Sequence, residues 1–217
     1  MPKTRKPLPQ RRRRPYNSTS DLTRFERAWY VRGITHIAGV DEVGRGCLAG
    51  PVVAASVILP EGCVLEGLKD SKQLTPLKRE RYYELILARA CAWSVGQVEA
   101  PEIDRINIHQ ATLKAMRAAV AGLAITPECV LIDGPHRIAT AFPEEPIVKG
   151  DSLSQSIAAA SVVAKVTRDR LMCALHTTYP QFSFHVHKGY GTKAHLGELR
   201  MHGPTPLHRM TFRGVIV

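Results

Sequence analysis

The sequence predicts an α/β fold with one mixed sheet, and three observations carry that expectation. Short apolar runs bounded by Gly or Pro recur at 34–40, 52–59, 93–99, 129–133 and 147–151, which is five candidate strands. Longer segments with apolar residues at helical spacing fall at 75–92, 107–123 and 152–176. Their order, strands first and then an uneven mixture of helix and strand, lacks the strict alternation of a barrel.

Taken along the chain, residues 1–20 (MPKTRKPLPQRRRRPYNSTS) hold almost no apolar side chains and four prolines, and are expected to be a disordered basic tail. One domain is expected over 21–217. DLTRFERAWYV (21–31) predicts a short helix with Asp21 near its cap. ITHIAGV (34–40) and VVAASVIL (52–59) read as strands. DSKQLTP (70–76) is a turn leading into a helix, with Thr75 as N-cap and Pro76 at the first helical position. That helix carries Tyr82, Leu85 and Ile86 on one face and extends to about residue 92.

WSVGQVE (93–99) alternates like a strand. Across 107–123, Ile108, Ala115, Met116, Ala119 and Leu123 fall in phase on a helix. CVLID (129–133) is a buried strand ending in an acid, GPHRIATAFPEEP a proline-containing loop, and IVKGD (147–151) a short strand ending in another acid. A long helix of small residues follows over 152–176. The last forty residues, rich in His, Gly and Pro, read as a smaller appended unit over about 180–217.

Bulk properties narrow the function. The net charge is +11, and the first twenty residues supply seven Lys/Arg and no acid. The remainder holds 23 basic against 19 acidic residues, so the tail carries most of the excess. A polyanionic partner is expected, or a solvated arm that only adds loose attraction to phosphate. No run is apolar enough to span a membrane and no signal peptide is visible. Five cysteines without a C-x-x-C pair exclude a zinc finger and point to a reduced, cytoplasmic compartment.

The acids point to a metal. Asp41 and Glu42, Asp133 and Asp151 each follow a short apolar strand, and open α/β sheets gather their sites beyond strand ends. Four carboxylates cannot all ionise in one pocket without cations. Mg²⁺ suits such oxygen ligands, and two ions about 4 Å apart can activate water and stabilise the leaving oxygen in phosphodiester cleavage. A single strand-end Asp is more simply a turn or cap residue; Asp151 stands before a helix and could cap it. Asp169 lies eighteen positions beyond Asp151, roughly 27 Å along the predicted helix, and reads instead as a structural partner of Lys165 or Arg168.

Adjacent strand residues point to opposite faces, so joint use of Asp41 and Glu42 predicts that the chain leaves β geometry by residue 42 and that the strand breaks between Asp41 and Gly46, aided by Gly44 and Gly46. The spacing Gly44-x-Gly46-x-x-x-Gly50 misses the dinucleotide fingerprint, and Pro51 argues against a helix opening at that point. Glycines also let backbone approach a nucleotide, and Arg45 can meet a phosphate. A 2′-hydroxyl is the group such backbone can read to tell RNA from DNA. Near the C-terminus, Tyr190 between glycines can stack on a sugar or base, while Lys188, Lys193 and His195 can meet phosphates. His185 and His187 lack a third ligand for zinc and read as structural or phosphate-facing.

AGVDEVGRG, DSKQL, LIDG, VKGDS, SIAAASVVAKVTRD and HKGYGTKAH together resemble the bacterial ribonucleases HII in order and spacing, over about residues 34–210. The resemblance implies an RNase H-like mixed five-stranded sheet flanked by helices, with a small C-terminal helical segment. It implies cleavage of RNA in RNA–DNA hybrids and nicking 5′ to ribonucleotides embedded in duplex DNA, with Mg²⁺ or Mn²⁺, giving 5′-phosphate and 3′-hydroxyl ends. By position, Asp41, Glu42, Asp133 and Asp151 match the family's metal ligands, and Gly44, Arg45 and Gly46 its backbone clamp. Tyr190 matches the tyrosine that stacks on the sugar, and Lys72 a lysine near the cleaved phosphate. Cys47 stands where the family often has proline, and the arginine-rich tail lies outside the shared pattern. A monomeric enzyme is expected. The competing readings are a silent hybrid-binding module and a sister nuclease that requires runs of ribonucleotides.

Overall fold

A computed structural model describes residues 21–68 and 71–216, so the expected tail at 1–20 lies outside the described residues. Among the described residues the first element is helix α1 (Arg24–Tyr30), followed by strands β1 (Ile37–Val43) and β2 (Val52–Ile58). A short 3₁₀ turn at Ser71–Gln73 leads into α2 (Pro76–Arg89), followed by β3 (Ala92–Val98), α3 (Ala100–Ile106) and α4 (Ile108–Ala121). β4 (Cys129–Asp133) and β5 (Glu144–Ile147) precede the long α5 (Gln155–Thr178), and α6 (Phe184–His187) and α7 (Lys193–His202) complete the described elements.

The sheet order is β3-β2-β1-β4-β5. β1 pairs antiparallel with β2, and β2 with β3, whereas β1–β4 and β4–β5 are parallel. β1 is therefore the strand at which antiparallel pairing gives way to parallel. Both of its faces are covered. Val40, Ala54 and Val130 pack under α4 through Ala111, Ala115 and Ala119. Ala55 and Val57 pack under α5 through Ala158, Val162 and Val163, with α2 alongside. Strands buried on both faces read as continuous apolar runs, which is why these segments were legible.

The small residues of α5 let it lie close on β1. A Cβ placed on Gly39 would come 2.1 Å from the Ser156 carbonyl carbon, so the helix backbone occupies the space of a side chain. Gly96 plays the same part opposite Ala115 of α4. α2 starts as expected: the Thr75 hydroxyl accepts from the Lys78 amide and Pro76 opens the helix. Ser154 caps α5 in the same way through the Ile157 amide.

Three expectations need correction. β5 ends at Ile147, four residues before Asp151, which sits in a 3₁₀ turn at Gly150–Ser152. The turn needs left-handed backbone at Lys149, and the ladder cannot continue through it. α3 was not anticipated; a break at Asn107 (φ +67°) separates it from α4, and the Asn107 side chain caps α4. Finally, β1 ends inside the expected interval from Asp41 to Gly46, at Val43 before Gly44 (φ +92°), but it does not leave β geometry by residue 42. It pairs with β2 through Val43, opposite Val53.

The C-terminal segment shares a core of its own with the main body. Phe182, Phe184, Leu199 and Val215 pack on Leu48 and Ala49 of the loop after β1 and on Met172 of α5. No helix among the described residues is long and apolar enough to cross a membrane.

Candidate active site

The parallel register of β1 and β4 builds the acidic centre. Val40 stands opposite Ile132, so the next residue on each strand is an acid, Asp41 and Asp133. Glu42 follows within the still-paired β1. Its carboxylate nevertheless reaches the others, because the Asp41 side chain folds forward along its own strand. Asp41 Oδ1 accepts from the Glu42 amide at 2.7 Å. One oxygen from each of Asp41, Glu42 and Asp133 lies within 4.8 Å of the others. Two adjacent acids thus converge while Glu42 is still paired, one residue before the strand ends at Val43.

The electrostatics of this cluster favour a cation. Asp41 is 4% exposed, and burial, then Glu42 and Asp133, push its pKa well above the ordinary carboxylate value, against a hydrogen bond from Ser161. Burial also raises Glu42, with Arg45 working the other way. Arg45 Nη1 stands 3.4 Å from Glu42 Oε1, but its side chain is half exposed. One loosely held cation beside three converging acids leaves a site of hard oxygen donors with negative charge to spare. That donor set fits a divalent ion.

Asp151 joins through Asp133. Asp133 Oδ1 accepts the Gly150 amide at 2.7 Å and the Asp151 amide at 3.4 Å. The Asp151 carboxylate is not among the three that converge; it faces Lys72, whose Nζ is 3.7 Å away. The structure therefore brings Lys72 to the acidic centre, with 76% of its side chain exposed.

The loop after β1 and the turn at Tyr190 form one unit. Gly44 has φ +92°, a conformation only glycine adopts without strain, and its Cβ position lies 2.3 Å from Arg168 Nε. Cys47 makes an isolated antiparallel bridge with Tyr190, and the Leu48 amide donates to the Gly189 carbonyl at 2.8 Å. Burial, together with the neighbouring Cys47 thiol, raises the pKa of the Tyr190 hydroxyl. Lys165 and Arg168 stand over the Tyr190 ring at 5.7 and 5.9 Å.

Two arginines hold this unit, and the sequence reading missed both. Arg168 is fully buried and donates to the carbonyls of Pro51, Lys188 and Ala49 at 3.0, 2.9 and 3.1 Å. Arg209 is fully buried too, donating to Arg45 and twice to Gly50. A signal existed for Arg168. Counting along α5 at helical spacing from Ile157 through Ser161 and Ala164 reaches Arg168 and then Met172, all on the buried stripe. Arg209 lies in irregular chain with no periodicity to expose it.

Several predicted contacts take other roles. His195 was expected at a phosphate, but it is fully buried and both ring nitrogens are engaged, Nδ1 with the Tyr190 carbonyl and Nε2 with His208. It holds the Tyr190 turn from beneath. His187 is buried against Glu198 at 2.9 Å and stacks on His195, which settles it as structural. His185 packs against His176, with ring centroids 4.0 Å apart and the rings tilted by 38°. Lys188 Nζ donates to the His185 carbonyl and to Cys173, while Lys193 is exposed at the start of α7. Asp169 pairs with Lys165 at 2.7 Å, as its distance along the helix from Asp151 implied.

A mixed sheet whose β1 and β4 ends converge acids, flanked by helices on both faces, defines a nuclease of the ribonuclease H class. Matching structures agree. The ribonuclease H2 of Pyrococcus horikoshii OT3 superposes with a TM-score of 0.71 at 28% identity, covering 82% of this chain and 94% of that one. A Bst-RNase HIII in complex with Mn²⁺ shares the fold at a TM-score of 0.64 and 21% identity, covering 83% of this chain and 68% of that one. The chain belongs to the ribonuclease HII family: the family model "Ribonuclease HII" matches residues 38–215. It is 53% identical over 195 residues to the ribonuclease HII of Syntrophobacter fumaroxidans, spanning 90% of this chain and 84% of that protein. The ribonuclease HII of Geotalea uraniireducens is 51% identical over 201 residues, 93% of each chain. The protein is thus a ribonuclease, a metal-dependent endonuclease of the hydrolase class.

Proposed function

We propose that the protein cuts RNA within RNA–DNA hybrids and nicks 5′ to single ribonucleotides embedded in duplex DNA, leaving 5′-phosphate and 3′-hydroxyl ends. The observation that carries this reading is the Cys47–Tyr190 bridge. It joins an exposed aromatic ring to the end of the Gly44–Gly46 loop, which starts two residues after Glu42. A reader of one ribose and a cleavage centre are thereby built into consecutive residues.

In this reading Asp41, Glu42, Asp133 and Asp151 hold Mg²⁺ or Mn²⁺, and the ions supply Lewis acidity and positive charge at the scissile phosphate. Ser161, hydrogen-bonded to Asp41, keeps that carboxylate aimed into the site, and Ser71 supports Ser161 at 2.9 Å. The exposed cation of Lys72 approaches the same phosphate from the side of Asp151. Gly44, Arg45 and Gly46 present backbone to the 2′-hydroxyl, and Tyr190 stacks on the sugar. Lys188 and Lys193 flank the strand as it leaves the site. The enzyme works as a cytoplasmic monomer.

A catalytically silent binder is disfavoured by the acids themselves, since carboxylates facing a phosphodiester would only weaken binding. The test is duplex DNA with one ribonucleotide, incubated with Mg²⁺ or Mn²⁺. A nick on the 5′ side of that residue is expected, and an intact strand overturns the reading.

A further inference from the structure

Arg209 grips the clamp loop at both ends. Its Nη1 donates to the Arg45 carbonyl at 2.8 Å, while Nε and Nη2 both donate to the Gly50 carbonyl at 3.1 and 2.9 Å. Its own amide donates to the Leu48 carbonyl at 2.8 Å. Such a charge, buried without a carboxylate partner among the described residues, is unusual. Burial lowers the arginine's pKa to about 10, which leaves it cationic at neutral pH. A cation placed against carbonyls makes stronger hydrogen bonds than a neutral donor could.

The consequence lies in the next peptide unit. No cis peptide bond occurs among the described residues, so the Arg45–Gly46 peptide is trans and planar. Its carbonyl and its N–H must point in opposite directions. With the Arg45 carbonyl drawn inward to Arg209, the Gly46 N–H is turned outward. That N–H has no hydrogen-bond partner among the described residues, and Gly46 is exposed, with nothing within 4 Å of its Cβ position. An unpartnered backbone donor on open surface, beside the tyrosine ring and the acids, is available to a ligand oxygen.

We infer that Arg209 is a positioning residue for ribose selection: by holding the Arg45 carbonyl it aims the Gly46 N–H at the 2′-oxygen of the bound nucleotide. Arg209 touches no substrate itself. The C-terminal segment thereby sets the selectivity of a loop 164 residues earlier in the chain. Arg168 does a different job, since its three carbonyls belong to Ala49, Pro51 and Lys188 and none to the Arg45–Gly46 peptide. This inference rests on the single-ribonucleotide reading above.

The experiment measures binding of two duplexes, one all-deoxy and one with a single ribonucleotide, with Ca²⁺ replacing the catalytic ion. The ratio of the two dissociation constants reports selectivity alone. The wild type should prefer the ribonucleotide duplex; a ratio of one overturns the function reading and not only this inference. Arg209→Met should lower the ratio about tenfold, the scale of one hydrogen bond, and Arg209→Lys, which keeps one donor, should restore much of it. A purely structural arginine would lower the melting temperature and leave the ratio of the folded protein intact. A folded Arg209→Met with the wild-type ratio overturns the inference. Should Arg209→Met fail to fold, amide hydrogen exchange of the wild type decides. Slowing at Gly46 with the ribonucleotide duplex only supports the assignment, and equal exchange in both complexes overturns it.

Discussion

The Gly150 amide donates to Asp133 Oδ1 at 2.7 Å, and through this bond the turn after β5 is fastened to the end of β4. The bond holds an acid outside any strand next to the converging trio. Asp151 is the next residue, its amide also turned toward Asp133, and its carboxylate faces Lys72. Strand register thus sets the three converging acids, and a turn sets Asp151 beside them.

Asp41→Asn tests the cation. Asp41 is the most deeply buried member of the converging trio, and its charge is raised in energy by burial and by two neighbours. Without that charge the site loses both a ligand oxygen and the repulsion that a cation relieves. Cutting should fall at least a thousandfold while the chain stays folded. In thermal melts, a divalent ion at a hundredfold above its dissociation constant stabilises the wild type by about 2.7 kcal/mol. The variant should show little of that gain. An equal melting shift in both proteins would remove Asp41 from the metal site.

The two glycines of the clamp should separate on substitution. Gly44→Ala meets positive φ and the Arg168 side chain at once, and should destabilise by roughly 1–3 kcal/mol in chemical unfolding. Gly46→Ala meets nothing and should keep wild-type stability to within about 0.5 kcal/mol. Its added methyl would instead stand at the surface where the nucleotide docks, raising KM several-fold for the ribonucleotide duplex. Equal stability losses in the two variants would contradict the geometry.

These contrasts show where the sequence was readable. β2 and β4, buried on both faces, announced themselves as apolar runs, and Thr75-Pro76 marked its helix start by local chemistry alone. Asp151 was found for the right neighbourhood by the wrong element, because IVKGD reads as a strand until Lys149 takes left-handed backbone. The convergence of Asp41 and Glu42 was anticipated, but with the chain leaving the strand by residue 42. A forward-folded Asp41 side chain accomplishes it, and rotamers leave no mark in a sequence pattern. His195 looked like a phosphate contact because a histidine near lysines and glycines gives no sign of its burial. Only tertiary packing puts Phe182 and Phe184 around it.

Tyr190 carries the aromatic half of the reader. Its ring is 38% exposed, bordered by Lys165 and Arg168, and its backbone is held by the bridge to Cys47. Removing the ring with Tyr190→Ala should lower kcat/KM on the single-ribonucleotide duplex by roughly ten- to a hundredfold, the scale of one stacking contact. Tyr190→Phe keeps the face of the ring and should remain within about threefold; the comparison isolates stacking from the hydroxyl beside Cys47. An unchanged rate for Tyr190→Ala would take the residue out of the site.

The histidines beneath that tyrosine give the enzyme an acid-sensitive foundation. The Thr205 amide donates to His208 Nδ1, which leaves Nε2 of a neutral His208 to donate to His195 Nε2, and His195 Nδ1 to donate to the Tyr190 carbonyl. The two links in which a ring nitrogen accepts, Thr205 to His208 and His208 to His195, require neutral rings, whereas the His195 bond to the Tyr190 carbonyl does not. Burial lowers the pKa of His195, and burial together with His195 brings His208 down from the ordinary 6.5 to about 4. The unfolded chain therefore takes up protons first as pH falls. Stability from this cluster is fully present above about 6.5 and is lost progressively as pH drops toward about 4, by on the order of 3 kcal/mol for His208. Glu198, held below its ordinary 4.5 by Ser183 and His187 against the upward push of burial, loses its own contribution only at lower pH. In urea unfolding at stepped pH, His208→Gln should be weaker than wild type at pH near 7, having lost the Thr205 bond, and should show a flatter decline through this window. A variant that declines as steeply as the wild type would mean that some other group drives the acid loss.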